Sequence, residues 1–138
     1  MSRRFALLLL VAGPLATAAT AATPAPALFE TGRLTIAGEA FATSDVLDAR
    51  ALPDINGKVG IMLSLTPAAA SRLGIISGAL VGQPLPVALD DMPLSAELVR
   101  KPQTDGVIEI PGRWNLSEAE ALARRISGQD PLPDDLAE

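Results

Sequence analysis

The chain has 138 residues, enough for one domain around a single hydrophobic core and too few for two ordinary domains. It contains no His, Cys or Tyr, which excludes disulfides, thiolate catalysis, cysteine–histidine zinc sites and Ser-His-Asp triads. An enzyme built from this sequence would work with carboxylates, Lys, Arg and hydroxyls alone. The composition therefore favours a non-enzymatic binding protein without a metal or other cofactor.

Residues 1–22 have the pattern of a secretory signal peptide. Arg3 and Arg4 precede an apolar run over residues 5–12, and small residues then lead to Ala-x-Ala sites that place cleavage close to Ala22. The run is shorter than the roughly 20 apolar residues of a membrane-spanning helix, and Pro14 prevents its continuation. We therefore predict export to the periplasm with no membrane span in the mature chain; an uncleaved anchor is the alternative.

The charge of the mature chain limits its partners. Arg3 and Arg4 lie in the predicted signal, so the remaining nine basic and sixteen acidic residues leave a net charge of −7. An acidic domain repels nucleic acid and anionic lipid surfaces. The predicted partner is a polypeptide or an envelope protein.

Three segments follow the signal in the predicted domain plan. Residues 23–30 form a Pro- and Ala-containing linker, residues 31–133 form the domain, and residues 134–138 form an acidic tail. Apolar alternation and turn residues predict strands over residues 33–37, 46–52, 59–65, 85–89, 94–99 and 106–110. With two helices, this order predicts a small single α+β domain, a mostly antiparallel sheet of about four to five strands packed by two helices.

Both predicted helices carry start signals. Thr66 and Pro67 form a hydroxyl cap followed by Pro in the first turn, and the helix runs to about Gly82. Its predicted buried stripe is Ala69, Leu73, Ile76 and Leu80. The second helix is predicted to begin with a capping box between Ser117 and Glu120, to carry an ion pair between Glu120 and Arg124, and to end at Gly128.

Turn and strand residues in segment 82–96 carry a family resemblance. Gly82 precedes an apolar strand that ends in Leu89-Asp90, and Ser95-Ala96 follows in the next strand. The family pattern continues on both sides of this segment. Upstream it includes the strand-to-helix step Leu65-Thr66-Pro67, and downstream it includes the Ile-Pro-Gly-Arg-Trp turn at residues 110–114, which contains Gly112. This set resembles the head subdomain of the first periplasmic domain of SecD and SecDF, accessory subunits of the Sec preprotein translocase.

The resemblance implies a SecDF head-like α+β fold over about residues 34–133, contact with polypeptide in the periplasm, and loose association with Sec translocon components. Three positions depart from the family pattern. Asp91 stands where the family turn has Gly, Glu97 replaces Pro, and Trp114 replaces Phe. The transmembrane bundle of SecDF has no counterpart in this sequence, so proton-driven translocation is not implied.

A candidate binding surface lies on the first helix, whose only charged residue is Arg72. It comprises an Ala-, Gly- and Ser-rich face and one aromatic residue: Ser71, Arg72, Ile75, Gly78, Ala79 and Trp114. Two other interpretations are open. The helix face consists of small residues that only contact solvent, or Trp114 fills the core and does not bind a partner. Asp90 and Asp91 are interpreted as a hairpin turn rather than an acid/base pair or cation site.

Two functions remain open from the sequence. The first is a non-enzymatic periplasmic domain that contacts exported or unfolded polypeptide. The second is a structural or regulatory module that docks on one specific envelope protein and has no role in translocation. A broad apolar groove would favour the first function, and a flat patch with a polar rim would favour the second.

Overall fold

The strands form two antiparallel sheets, which we describe from a computed structural model covering residues 29–134. The element bounds in chain order are β1 Leu34–Ile36, β2 Glu39–Phe41, β3 Val46–Pro53, β4 Val59–Leu65, α1 Pro67–Ala79, β5 Pro84–Leu89, β6 Met92–Leu98, β7 Val107–Trp114 and α2 Leu116–Ser127. The predicted signal peptide, residues 23–28 of the linker and residues 135–138 of the tail lie outside the described residues.

One sheet has the strand order β2-β1-β5-β6 and the other has the order β3-β4-β7. All pairings are antiparallel, which confirms the predicted α+β class. The strands number seven rather than four to five, and they divide between two sheets because β6 and β7 do not pair with each other. The largest fully buried side chains come from both sheets and both helices, so one core joins them: Ile36, Ile61, Leu63, Leu73, Leu89 and Ile126.

The strand that sequence analysis missed is β2. It follows β1 through a two-residue turn in which Ala37 has a φ of 51° and Gly38 a φ of 79°. Two positive φ angles give a turn whose twist suits a tight hairpin, but Ala is not among the residues that favour the first position. Only Gly38, at the second turn position, matches the sequence pattern that usually indicates this turn.

Helix α1 begins as predicted and ends early. The Thr66 hydroxyl accepts a hydrogen bond from the Ala69 N–H at 3.3 Å, and Pro67 is the first helical residue. The helix ends at Ala79, before Gly82. Its buried residues include Ser77, whose hydroxyl donates to the Leu73 carbonyl at 2.7 Å, and the predicted stripe residues Ile76 and Leu80 are only partly buried.

Gly74 in the middle of α1 offers a test of helix propensity. A Cβ added there would lie 3.5 Å from the Thr104 Cγ2 and 3.7 Å from the Gln103 carbonyl oxygen, which are ordinary contacts. We expect Gly74→Ala to raise the free energy of unfolding by about 0.5–1 kcal/mol, because Ala loses less backbone entropy than Gly in a helix. Urea denaturation checks this; a loss of stability would mean that the loop at Gln103 and Thr104 cannot adjust.

Helix α2 begins two residues earlier than predicted. Its cap is Asn115, whose side chain accepts from the Glu118 N–H at 2.9 Å while the Glu118 carboxylate accepts from the Asn115 N–H at 3.3 Å. The predicted capping box at Ser117 and Glu120 is therefore wrong, because the free N–H groups at the start of the helix are bonded by Asn115 and Glu118. The end at Gly128, with a φ of 74°, is confirmed.

The predicted ion pair of α2 is also replaced. The Arg124 guanidinium bonds the Asp130 carboxylate at 2.9 Å instead of Glu120, and it lies 5.3 Å from the centre of the Phe29 ring. The Phe29 N–H donates to the Gly128 carbonyl at 3.1 Å. These contacts attach the start of the described chain to the last turn of α2.

The other end of the described chain is held by an ion pair on β3. Asp48 is buried, and its carboxylate bonds Arg50 at 2.6 Å and accepts from the Leu132 N–H at 2.9 Å. Arg50 in turn donates to the Leu132 carbonyl and to Asp134. The hydrogen bond with the Asp48 carboxylate raises the pKa of Arg50 above its ordinary value, so this guanidinium stays charged at any working pH.

Candidate functional site

An open groove runs between the two sheets, along the neighbouring edges formed by β6 and β7. β6 pairs only with β5 and β7 pairs only with β4, so among residues 29–134 the outer edge of each strand has no strand partner. The loop that joins β6 to β7 closes one end of the groove. The division of the strands into two sheets thus creates a concave surface with hydrogen-bonding backbone on both sides.

Two adjoining cavities make up the groove, with volumes of about 610 Å³ and 390 Å³. Leu85 and Val87 on β5 supply apolar side chains to the larger cavity, and Leu52 and Pro53 do so in the smaller one. Volumes of this size suit a short segment of extended chain or a small ligand.

Charged side chains are unevenly distributed along the groove. Glu97 on β6 and Glu109 on β7 line both cavities, so these two acidic residues lie where the cavities meet. Arg100 and Lys101 line the larger cavity at the loop end. From the sequence, Glu97 stood out only as a departure from a family Pro and Glu109 did not stand out, because nothing local in the sequence indicates that β6 and β7 face each other.

The opposite end of the groove is bridged by Arg113. Its guanidinium donates to the Pro93 carbonyl on β6 at 2.6 Å and lies 4.9 Å from the centre of the Trp114 ring. Trp114 itself is half-buried and packs against the core, as the core interpretation of this residue required. Trp114 pairs with Val59 at the start of β4, whereas α1 follows the end of β4 at Leu65. The structure therefore does not bring Trp114 next to the candidate residues on α1.

The other residues of the sequence-derived surface lie together on α1. Ser71, Ile75, Gly78 and Ala79 are exposed, and Ile75, a large apolar residue, is 76% exposed. Arg72 is also exposed, but its guanidinium donates to the Ala40 carbonyl at 2.9 Å and lies 4.3 Å from the centre of the Phe41 ring. The structure therefore presents a small, uncharged helix face beside an Arg72 that already binds β2.

Neither a cluster of metal-ligating side chains nor a membrane-spanning helix occurs in the described residues. Over residues 29–134, no three Asp or Glu side chains gather closely enough to hold a metal ion. In the same part of the chain, neither helix has the length and apolar character needed to cross a membrane.

Comparison with known proteins gives the groove a context. Residues 19–129 match the family described as SecDF, P1 head subdomain, which is most of the chain. The chain belongs to the SecDF P1 head family. Over 96 residues it is 31% identical to the protein translocase subunit SecDF of Thermus thermophilus. This alignment covers 69% of the present chain but only 13% of the Thermus protein.

Solved SecDF structures agree with the fold. The first is a structure of SecDF, described as a membrane component that enhances protein export, and it superposes with a TM-score of 0.59 at 28% identity. The superposition covers 67% of this chain and 42% of that one. A crystal structure of SecDF in a super-membrane-facing form gives a TM-score of 0.58 at 28% identity, covering 67% of this chain and 12% of that one. The likeness is to the head alone, since the chain spans about an eighth of the full-length relative.

The SecDF head pattern is kept at the β5–β6 turn despite the departure at Asp91. Asp90 and Asp91 are the two turn residues, with φ angles of 49° and 64°. Asp90 is bound on three sides: its carboxylate accepts from the Arg33 N–H at 2.8 Å and from the Arg125 guanidinium, and its N–H donates to the Arg33 carbonyl. The pair is a structural hairpin that joins β1, the turn and α2.

The two turn residues differ in what a Gly substitution removes. Asp91→Gly relieves a positive φ and removes only an exposed ion pair with Arg33, so we expect stability to stay within about 0.5 kcal/mol or to rise slightly. Asp90→Gly relieves a similar angle but removes the carboxylate that accepts from the Arg33 N–H and the Arg125 guanidinium, so we expect a loss of about 1–2 kcal/mol. Denaturant midpoints compare the two; equal effects would contradict the assigned roles.

The two family glycines serve different purposes. Gly82 adopts a φ of 85° and its N–H donates to the Val99 carbonyl at 2.8 Å, which closes the loop before β5. Gly112 lies where β7 crosses Gly60 of β4, and a Cβ there would come within 3.1 Å of the Gly60 nitrogen. A conformational requirement explains the first glycine and a close approach of two backbones explains the second.

Proposed function

We propose that the chain is a non-enzymatic periplasmic binding domain of the SecDF head type, which contacts exported polypeptide in an extended conformation. The observation that carries this proposal is the groove between the free edges of β6 and β7. A backbone edge binds any extended chain through main-chain hydrogen bonds, and so it suits a partner whose sequence varies. The relationship to SecDF supports a role in protein transport.

The size and charge of the domain set the expected strength of binding. Two cavities of about 610 Å³ and 390 Å³ contact only a short segment, so affinity should be modest, with a Kd on the order of 1 μM to 1 mM. The predicted mature charge of −7 favours segments with some basic residues. This preference should fade as salt rises, because exposed charges are screened.

The proposal predicts binding of an unfolded model polypeptide by the purified chain. We expect NMR shifts on residues 94–98 and 107–112, and a change in the fluorescence of Trp114, which lies at one end of the groove. The same polypeptide in its folded form is the control and should cause no shift, because its backbone is not available. Absence of any perturbation at millimolar polypeptide would contradict the proposal.

The α1 face supports the second function, docking on one envelope protein. Ile75 is 76% exposed among small, uncharged neighbours, which is a feature of a small protein contact. Shifts confined to Ser71, Ile75 and Ala79, together with recovery of one folded partner in a periplasmic pull-down, would favour this function over polypeptide binding. Ile75→Ser should then remove the partner without changing the groove.

A further inference from the structure

We infer that the groove holds polypeptide by strand addition to the outer edge of β6, and that it prefers a segment with a basic side chain, placed beside Glu97 and Glu109. The inference rests on the proposed function and goes beyond it in naming the edge, the binding mode and the charge of the bound segment. Three independent features of the groove carry it: the direction of the β6 backbone groups, a buried acceptor without a partner, and two unpaired carboxylates.

The free backbone groups of β6 follow from its pairing with β5. The Val99 N–H donates to the Gln83 carbonyl at 2.9 Å and the Val99 carbonyl accepts from Gly82 at 2.8 Å, so Val99 faces β5. Hydrogen-bonding direction alternates along an antiparallel strand, which turns the N–H and C=O groups of Ala96 and Leu98 away from β5. Within residues 29–134 no other strand takes these groups.

The facing edge of β7 is less available than that of β6. The Val107 N–H, the first donor of β7, is bonded by the Asp105 carboxylate at 3.1 Å. On β6 the corresponding obstruction is at the far end, where Arg113 occupies the Pro93 carbonyl. The stretch of β6 from Ser95 to Leu98 stays open, and it lies beside the larger cavity. An added strand would therefore align on β6.

A buried acceptor belongs to a residue that lines the same cavity. Gln103 lines it, and the Gln103 Oε1 is buried without a hydrogen-bond partner among the described residues. The backbone of Gln103 is fixed, because its N–H donates to the Ser77 hydroxyl at 2.8 Å. An unpaired buried acceptor is unfavourable, so the Gln103 amide gains a hydrogen bond if its side chain turns towards the cavity and meets a donor of a bound segment.

Charge complementarity identifies the bound segment further. Glu97 and Glu109 border the junction of the two cavities, both are exposed, and neither forms an ion pair within residues 29–134. Opposite charges on neighbouring strands attract and like charges repel. A Lys or Arg side chain placed beside Glu97 and Glu109 would neutralise this pair, and an acidic side chain at the same position would be repelled. Arg100 and Lys101 lie at the loop end of the larger cavity, so the basic side chain is expected at the junction and not at that end.

The binding mode is tested with the heptapeptide Ac-TVTKTVT-amide and two N-methylated isomers, one methylated at both valines and one at the two inner threonines. An added strand presents alternate N–H groups to β6, so one isomer should lose more than about tenfold in affinity while the other keeps the affinity of the parent. NMR shifts should centre on Ala96 and Leu98. Equal affinities of the two isomers would overturn strand addition while leaving polypeptide binding intact.

The charge preference is tested separately with protein variants. Replacing the peptide lysine by glutamate should weaken binding about three- to tenfold, and the double variant Glu97→Gln with Glu109→Gln should remove this difference. Glu39→Gln on β2, an exposed glutamate at the far edge of the same sheet, is the matched control and should keep the difference. A preference that survives in the double variant would overturn the assignment of these carboxylates.

Failure of every peptide to bind at millimolar concentration would overturn the proposed function and this inference together.

Discussion

Leu89→Ala is expected to lower the free energy of unfolding by about 2–5 kcal/mol. Leu89 ends β5, is completely buried, and pairs with Leu34 on β1 and Met92 on β6. Truncation leaves a cavity at the point where three strands meet, and the Asp90 turn, bound to Arg33, limits how far the backbone can relax. The cost should therefore lie in the upper part of that range.

Two further variants give scale to the Leu89 measurement. Leu122→Ala on α2 removes a side chain that is 9% exposed, so we expect a loss towards the lower end, about 2 kcal/mol. Leu98→Ala removes a side chain that is 55% exposed at the end of β6, and we expect less than about 0.5 kcal/mol. Urea denaturation of all three orders them. A small effect of Leu89→Ala would mean that the two sheets do not share one core.

Gly60→Ala is expected to destabilise the protein by about 3 kcal/mol, as overpacking against backbone does. A Cβ at this position would overlap the Ile110 carbonyl oxygen and lie 3.0 Å from the Gly112 nitrogen. Gly60 is in β4, the central strand of its sheet, and β7 lies against it at a break in their register. The clash is with backbone, so no side chain can rotate to relieve it.

The same substitution should also affect the groove. Gly60, Ile110 and Gly112 line the smaller cavity, so displacement of β7 would change its width. We expect weaker polypeptide binding even in the folded fraction, measured by titration well below the melting temperature. Gly74→Ala, expected to stabilise α1, is the control for adding a methyl group to a glycine. A Gly60→Ala protein with unchanged stability and affinity would contradict the close approach of β4 and β7.

Membership of the SecDF family concerns the head alone. The chain covers 13% of the Thermus thermophilus protein and the matched structures are similar to it over this part. In this chain that part is an α+β domain with an open groove between β6 and β7. The proposed contact with exported polypeptide depends only on this domain, so the purified chain is sufficient for the binding experiments.

Several local features of the fold were predicted correctly because a few adjacent residues encode them. Thr66 and Pro67 start α1, and Gly128 ends α2. The predicted strands over residues 46–52 and 59–65 are joined by a turn in which the Asp54 carboxylate accepts from the Asn56 and Lys58 N–H groups. The α2 start was misplaced by two residues because Asn115 and Ser117 are both good caps. Competing local patterns of similar strength are resolved only by the packing of the helix.

The sequence by itself determined six of the strands, the two helices, the α+β class and the family resemblance, since each depends on residues close together in the chain or on their order. Only the tertiary structure decided that the strands form two sheets, that β6 and β7 leave their edges open, and that Glu97 and Glu109 border one junction. These features depend on pairings between distant segments, such as β1 with β5 and Arg33 with Asp90. No periodicity within a strand indicates which edge stays unpaired, because the pattern of buried side chains is set by the faces of a sheet and the free hydrogen bonds lie in its plane.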